Sequence, residues 1–211
     1  MPFTGFGEDA VEFYDGLAAD NSKAYWTDRK AVYDDHVKGP MQALLDDLEP
    51  EFGAGKIFRP YRDLRFAKDK TPYKEHCGAT AGPFYVQLGS DGLLAAGGYY
   101  WMASDQVARY RTAVDDDRRG EDLVKRLAAV ESAGIDIVGE TLRTRPRGFD
   151  PEHPRIELLK HKGLYGRRIW PPDDALHEAT ARQRVVRTWR SLLPLVEWLA
   201  EHVGPSEQAR R

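Results

Sequence analysis

A single cysteine, Cys77, stands in the whole 211-residue sequence. No internal disulfide can staple the fold, and a reducing compartment is the expected setting. No apolar run approaches the ~18 uncharged residues that a membrane-spanning helix requires. Nor does the start, MPFTGFGEDAVEF, set a positive region ahead of an apolar one, so no secretory signal is expected and the default address is cytoplasmic. A cationic surplus is missing too, because 31 Lys and Arg face 34 Asp and Glu, for a formal net charge of -3. That excludes the broad positive field with which a protein coats nucleic acid without regard to sequence.

Familiar catalytic spacings are also absent. Gly5, Gly7 and Ala10 fit G-x-G-x-x-A, but no strand precedes them, and that context gives the fingerprint its meaning. Gly53-Ala54-Gly55-Lys56 resembles a phosphate loop, yet Ile57 stands where Ser or Thr belongs. No G-x-S-x-G elbow or H-E-x-x-H helix occurs. The histidines are scattered, and His76-Cys77 has no second pair to complete a tetrahedral site, so no metal is expected. No residue pattern names a cofactor.

What is present is an ordinary globular composition, 41% hydrophobic and 31% charged, with length enough for a sizeable core. Phe6, Ala10, Phe13 and Leu17 predict a first amphipathic helix. Asn21 and Ser22 are candidate caps for a second, carrying Trp26, Ala31 and Tyr33 to a stop at Gly39-Pro40. A third helix is expected over Met41, Leu44, Leu45 and Leu48, ending before Pro50. Lys56–Arg59 reads as a short strand, and residues 83–102 read as a hairpin turned by Gly-Ser-Asp-Gly. Ser104 is a candidate cap for a helix through Val107, Tyr110 and Val114. Another helix carries Leu123, Leu127 and Val130 to Gly134. Residues 135–145 and 164–170 read as extended, with a short helix at 156–160 between them. A long final helix bears Val185, Trp189, Leu192, Val196, Leu199 and Val203, with Pro194 as a kink. This order predicts an α+β fold. An antiparallel sheet of about five strands, with one central hairpin, would be covered by the N-terminal helices and the long C-terminal one. One domain over 1–204 with a frayed tail at 205–211 is expected.

Against the acidic total, residues 59–74 read RPYRDLRFAKDKTPYK. If this stretch is extended, Arg59, Tyr61, Asp63 and Arg65 share one side, while Arg62, Leu64 and Phe66 share the other, the last two as core anchors. Two readings follow. In one, Asp63 neutralises the arginines and braces the loop. In the other, the charge left over, with Lys68, Lys70 and Lys74, binds a phosphorylated or carboxylate-bearing small anion. Arg59, Arg62 and Arg65 would hold that anion, Asp63 would orient them, and Lys70, Tyr73 and Lys74 would close the site. An aspartate among arginines has a lowered pKa and makes a poor general base, which favours binding over catalysis and leaves enzymatic activity unassigned. A second basic region, residues 143–170 with Tyr165 and Trp170 among its cations, offers a nucleic-acid surface or a solvated rim.

The pattern Arg59-x-x-Arg62-Asp63-x-Arg65-Phe66-x-x-x-Lys70-x-Pro72-Tyr73 resembles the defining motif of the DUF2461 family, a bacterial and fungal group. Asn21 to Trp26 resembles that family's Asn-Asn-x-x-Trp-Phe segment, with Ser22 and the Tyr25-Trp26 pair departing from it. Gly97-Gly98-Tyr99-Tyr100 resembles its glycine-aromatic strand. Pro146 to Asp150, His153-Pro154 and Glu157 to Lys160 resemble its later block. The resemblance implies one domain over most of the chain and carries no activity with it.

Overall fold

The computed structural model describes residues 2–65 and 69–208. Phe66 and Lys68, named above as anchor and surplus cation, and the last three residues of the expected tail lie outside the described residues. The fold is α+β, with a six-stranded antiparallel sheet in the order β1-β2-β3-β4-β6-β5. Its strands are β1 (Gly55–Ile57), β2 (His76–Ala81), β3 (Phe84–Gly89), β4 (Gly92–Tyr99), β5 (Asp136–Val138) and β6 (Leu164–Trp170). The chain packs as two compact units, Met1–Ala95 with Ile169–Arg187, and Ala96–Arg168 with Thr188–Arg211.

In the first unit, α1 (Glu8–Ala19) buries Ala10, Phe13, Tyr14 and Leu17, the expected stripe. Ser22 caps α2 (Lys23–Asp28) by accepting the Tyr25 N–H at 3.1 Å. The predicted stop at Gly39-Pro40 does not occur. The chain continues through α3 (Lys30–Val32) and a π-helical segment (Tyr33–Lys38) into α4 (Gly39–Phe52). Proline lacks an N–H and crowds the carbonyl four residues back. Wider π winding accommodates that defect, and Gly39 N–H donates to Asp34 O, five residues back. α4 also runs on through Pro50, ending at Gly53, whose φ is 85°.

β2 is the strand the sequence reading lacked, and it raises the count from about five to six. Its residues, HCGATA, are mostly small, and only Thr80 among them favours a strand. It is held by pairing with β1 on one side and β3 on the other. The β3–β4 hairpin turns at Ser90-Asp91 as expected, with Gly92 at φ 95°. A Cβ at Gly92 would strike the Trp170 carbonyl, so close backbone approach as well as turn geometry requires glycine there.

In the second unit, α5 (Ser104–Asp115) starts one residue beyond its cap, Ala103, whose N–H donates to Gln106 Oε1 at 3.0 Å. Asp116 caps α6 (Asp117–Ser132) by accepting the Arg119 N–H at 2.9 Å. Of the extended stretch 135–145 only β5 pairs regularly, and Thr141 adds a lone bridge to His161. The short helix α7 (Ile156–Leu159) follows. The long helix α8 (Thr180–His202), whose residues up to Arg187 belong to the first unit, contains Pro194, and its expected apolar stripe is buried. Ser206 and Glu207, in the expected tail, hydrogen-bond to Asp105 at 2.8 and 2.9 Å.

Candidate functional site

Past β1 the chain still borrows one sheet bond, from Phe58 N–H to Gly78 O at 2.8 Å. Tyr61 then forms a lone antiparallel bridge with Tyr73. It is flanked by Arg62 N–H to Pro72 O at 2.9 Å and Lys74 N–H to Pro60 O at 2.8 Å. In such a pair the backbone groups of Tyr73 point away from Tyr61. Asn21 takes both of them: its Oδ1 accepts the Tyr73 N–H at 3.0 Å, and its Nδ2 donates to the Tyr73 carbonyl at 3.1 Å. The Tyr73 ring lies flat on Trp26, with centroids 4.3 Å apart and planes at 7°. Tyr61 leans on the two of them, at 6.1 and 5.5 Å. Asn21 and Trp26 therefore fix the loop's exit, a role that capping and helical spacing alone did not reveal.

Between the bridge residues the expected two-sided alternation breaks at Asp63. Its carboxylate accepts the backbone N–H of Arg65 at 3.2 Å, closing a local turn that competes with a strand ladder. The same carboxylate pairs with the Arg65 guanidinium at 2.6 Å, and that hydrogen bonding holds its pKa down at about 2. Arg62 is engaged by Asp69 and by the Thr71 hydroxyl. The Thr71 N–H, followed by Arg62, lowers the pKa of Asp69. Lys70 donates to the Leu64 carbonyl at 3.0 Å. Four of the seven expected ligand residues, Arg62, Asp63, Arg65 and Lys70, thus stitch the loop to itself. Tyr73 is buried in the aromatic stack, and burial raises its hydroxyl pKa.

The remaining two, Arg59 and Lys74, line a cleft of about 630 Å³. They are joined there by Lys56 from β1 and by Lys30 and Lys38 from the helical segment, with Asp34 the only carboxylate among the described lining residues. Asp34 pairs with Lys30. Among the described residues no carboxylate pairs with Lys38, Lys56, Arg59 or Lys74, although Lys74 Nζ stands 5.5 Å over the Phe58 ring. Trp26, Tyr33, Phe58 and Tyr61 supply the aromatic part of the wall. Nothing in the sequence neighbourhoods of Lys38 and Lys56 groups them with the arginine motif. The recurrence of Lys30, Asp34 and Lys38 every four residues was the available signal of a shared helix face.

Several cations of the other basic region are engaged by carbonyls and carboxylates of the same unit. Arg155 is 8% exposed and donates to the Val114 carbonyl at 2.7 Å, the Asp115 carbonyl at 3.1 Å and Asp117 at 2.9 Å. Lys160 pairs with Glu157 and Lys162 with Glu140. Arg145 donates to the Phe149 carbonyl at 2.7 Å. Cys77 is buried, and burial pushes its thiol up to about 12, which makes it a poor nucleophile.

Among the described residues no helix is long and apolar enough to cross a membrane. No curated protein matches the sequence. The family model described as "Conserved hypothetical protein (DUF2461)" matches residues 9–198. That span takes in the Asn21 clamp, the stitched arginine loop and the cleft, and by it the chain belongs to the DUF2461 family.

Proposed function

We propose that this protein binds a small anionic ligand, phosphorylated or carboxylate-bearing, in the cleft beside β1, with Arg59, Lys56, Lys38 and Lys74 as its counter-charges. The observation that carries this reading is the convergence of those four cations, unpaired among the described residues, on one concavity in an acidic chain. With Asp34 paired to Lys30, the other four cations repel one another, and a bound anion relieves that repulsion. The arginine motif then acts one step back, shaping the loop from which Arg59 and Lys74 emerge. The single free thiol supports a reducing, cytoplasmic setting for this binding.

Calorimetric titration with pyrophosphate tests the reading. Charge-assisted hydrogen bonds are worth roughly 1.5–3 kcal/mol each. The double substitution Lys56→Ala with Arg59→Ala should therefore weaken binding about a hundredfold or more while leaving the circular dichroism unchanged. Arg62→Ala should lower stability more than affinity. Pyrophosphate binding that ignores Lys56 and Arg59 would remove the cleft from consideration.

A further inference from the structure

We infer that the cleft's ligand is a nucleoside di- or triphosphate, with phosphates on the lysines and Arg59 and the base stacked on Phe58 and Tyr61. This deepens the anion-binding reading and rests on it. Inorganic phosphate or an aliphatic carboxylate would use the cations alone. The cleft offers more, because Phe58 and Tyr61 line it while remaining 40% and 49% exposed. They alternate with the charges along one short segment, Lys56, Phe58, Arg59, Tyr61. Both rings are backed from elsewhere in the same unit. Phe58 stacks on Tyr85 at 6.2 Å, and Tyr61 rests against Trp26 and Tyr73.

A ring already fixed from behind loses little freedom when a base settles on it, which favours stacking over a mobile side chain. Lys74 reaches both kinds of partner, with its ammonium 5.5 Å over the Phe58 ring. The volume of about 630 Å³ falls within the roughly 300–1,000 Å³ typical of small-molecule sites. A flat ring joined to several negative charges matches the aromatic and cationic parts of this lining.

The test is calorimetry at low salt with ATP, inorganic triphosphate and adenosine as separate probes. Stacking on an aromatic side chain should make ATP bind about tenfold more tightly than triphosphate. Phe58→Ala should erase that margin and leave triphosphate affinity as it was. Lys56→Ala should weaken ATP and triphosphate alike. If Phe58→Ala fails to fold, Phe58→Leu keeps the apolar bulk and removes the stacking face. Equal affinity for ATP and triphosphate, or a margin untouched by substitutions at Phe58 and Tyr61, overturns the nucleotide inference and leaves anion binding standing. Failure of both triphosphate and ATP to bind overturns the two together. Affinity for single-stranded oligonucleotides that climbs with length beyond that for ATP would replace the nucleotide with a polymer.

Discussion

Arg155 carries a full charge yet is only 8% exposed, because two backbone carbonyls at the α5–α6 junction and Asp117 take its guanidinium donors. Gly120 makes room for it, since a Cβ at that position would collide with Arg155 Nε. Removing the side chain strands those carbonyls in a buried place, so Arg155→Ala should lower unfolding free energy by about 3 kcal/mol in urea denaturation. A loss below about 1 kcal/mol would deny the buried role. Arg59, from the same residue type, is exposed and forms no ion pair among the described residues, although its charge helps to lower the pKa of Asp63. Composition could not separate these two arginines. What separates them is whether carbonyls and carboxylates from distant sequence lie within reach.

At the scale of elements, strongly periodic segments were legible and compensated defects were not. The stripes of α1, α6 and α8 follow from apolar spacing. The passage of helix through Pro40 depended on π winding, and the existence of β2 depended on two flanking strands rather than its own residues. The start of α5 shows a tertiary tie of the same kind. Asp105 accepts the Glu207 N–H and the Ser206 hydroxyl, and the former, foremost, lowers its carboxyl from 3.8 to about 2. A carboxyl depressed in the folded state contributes stability above its unfolded pKa and loses it as pH falls through the folded one. The tie should therefore hold at pH 5 and weaken as pH drops from 3.8 towards about 2. The protection of the Glu207 amide, the unstructured exchange rate divided by its own at the same pH, should fall across that window, and protection already lost at pH 5 would contradict the assignment.

Over the whole molecule, a formal charge of -3 conceals an uneven distribution. Counting charges singles out the arginine-rich motif, whose ends, Arg59 and Lys74, line the cleft. Counting could not show that Asp63 bonds two residues along and Asp69 reaches back to Arg62, leaving Arg59 and Lys74 as the motif region's contribution to the cleft. Nor could it bring in Lys38 from the helical segment, which only folding sets beside β1. The α+β class was readable because element order constrains layering. The cleft was not, because it is made by residues far apart in sequence.

The most direct measurement is an amide NMR titration of the intact protein with pyrophosphate, which distinguishes the cleft from the stitched loop. Saturable shifts should centre on Lys38, Lys56, Phe58, Arg59 and Lys74, with residues 62–65 and 69–71 little changed. Shifts concentrated on Arg62 and Arg65, or none at millimolar pyrophosphate, would contradict an anion site in the cleft.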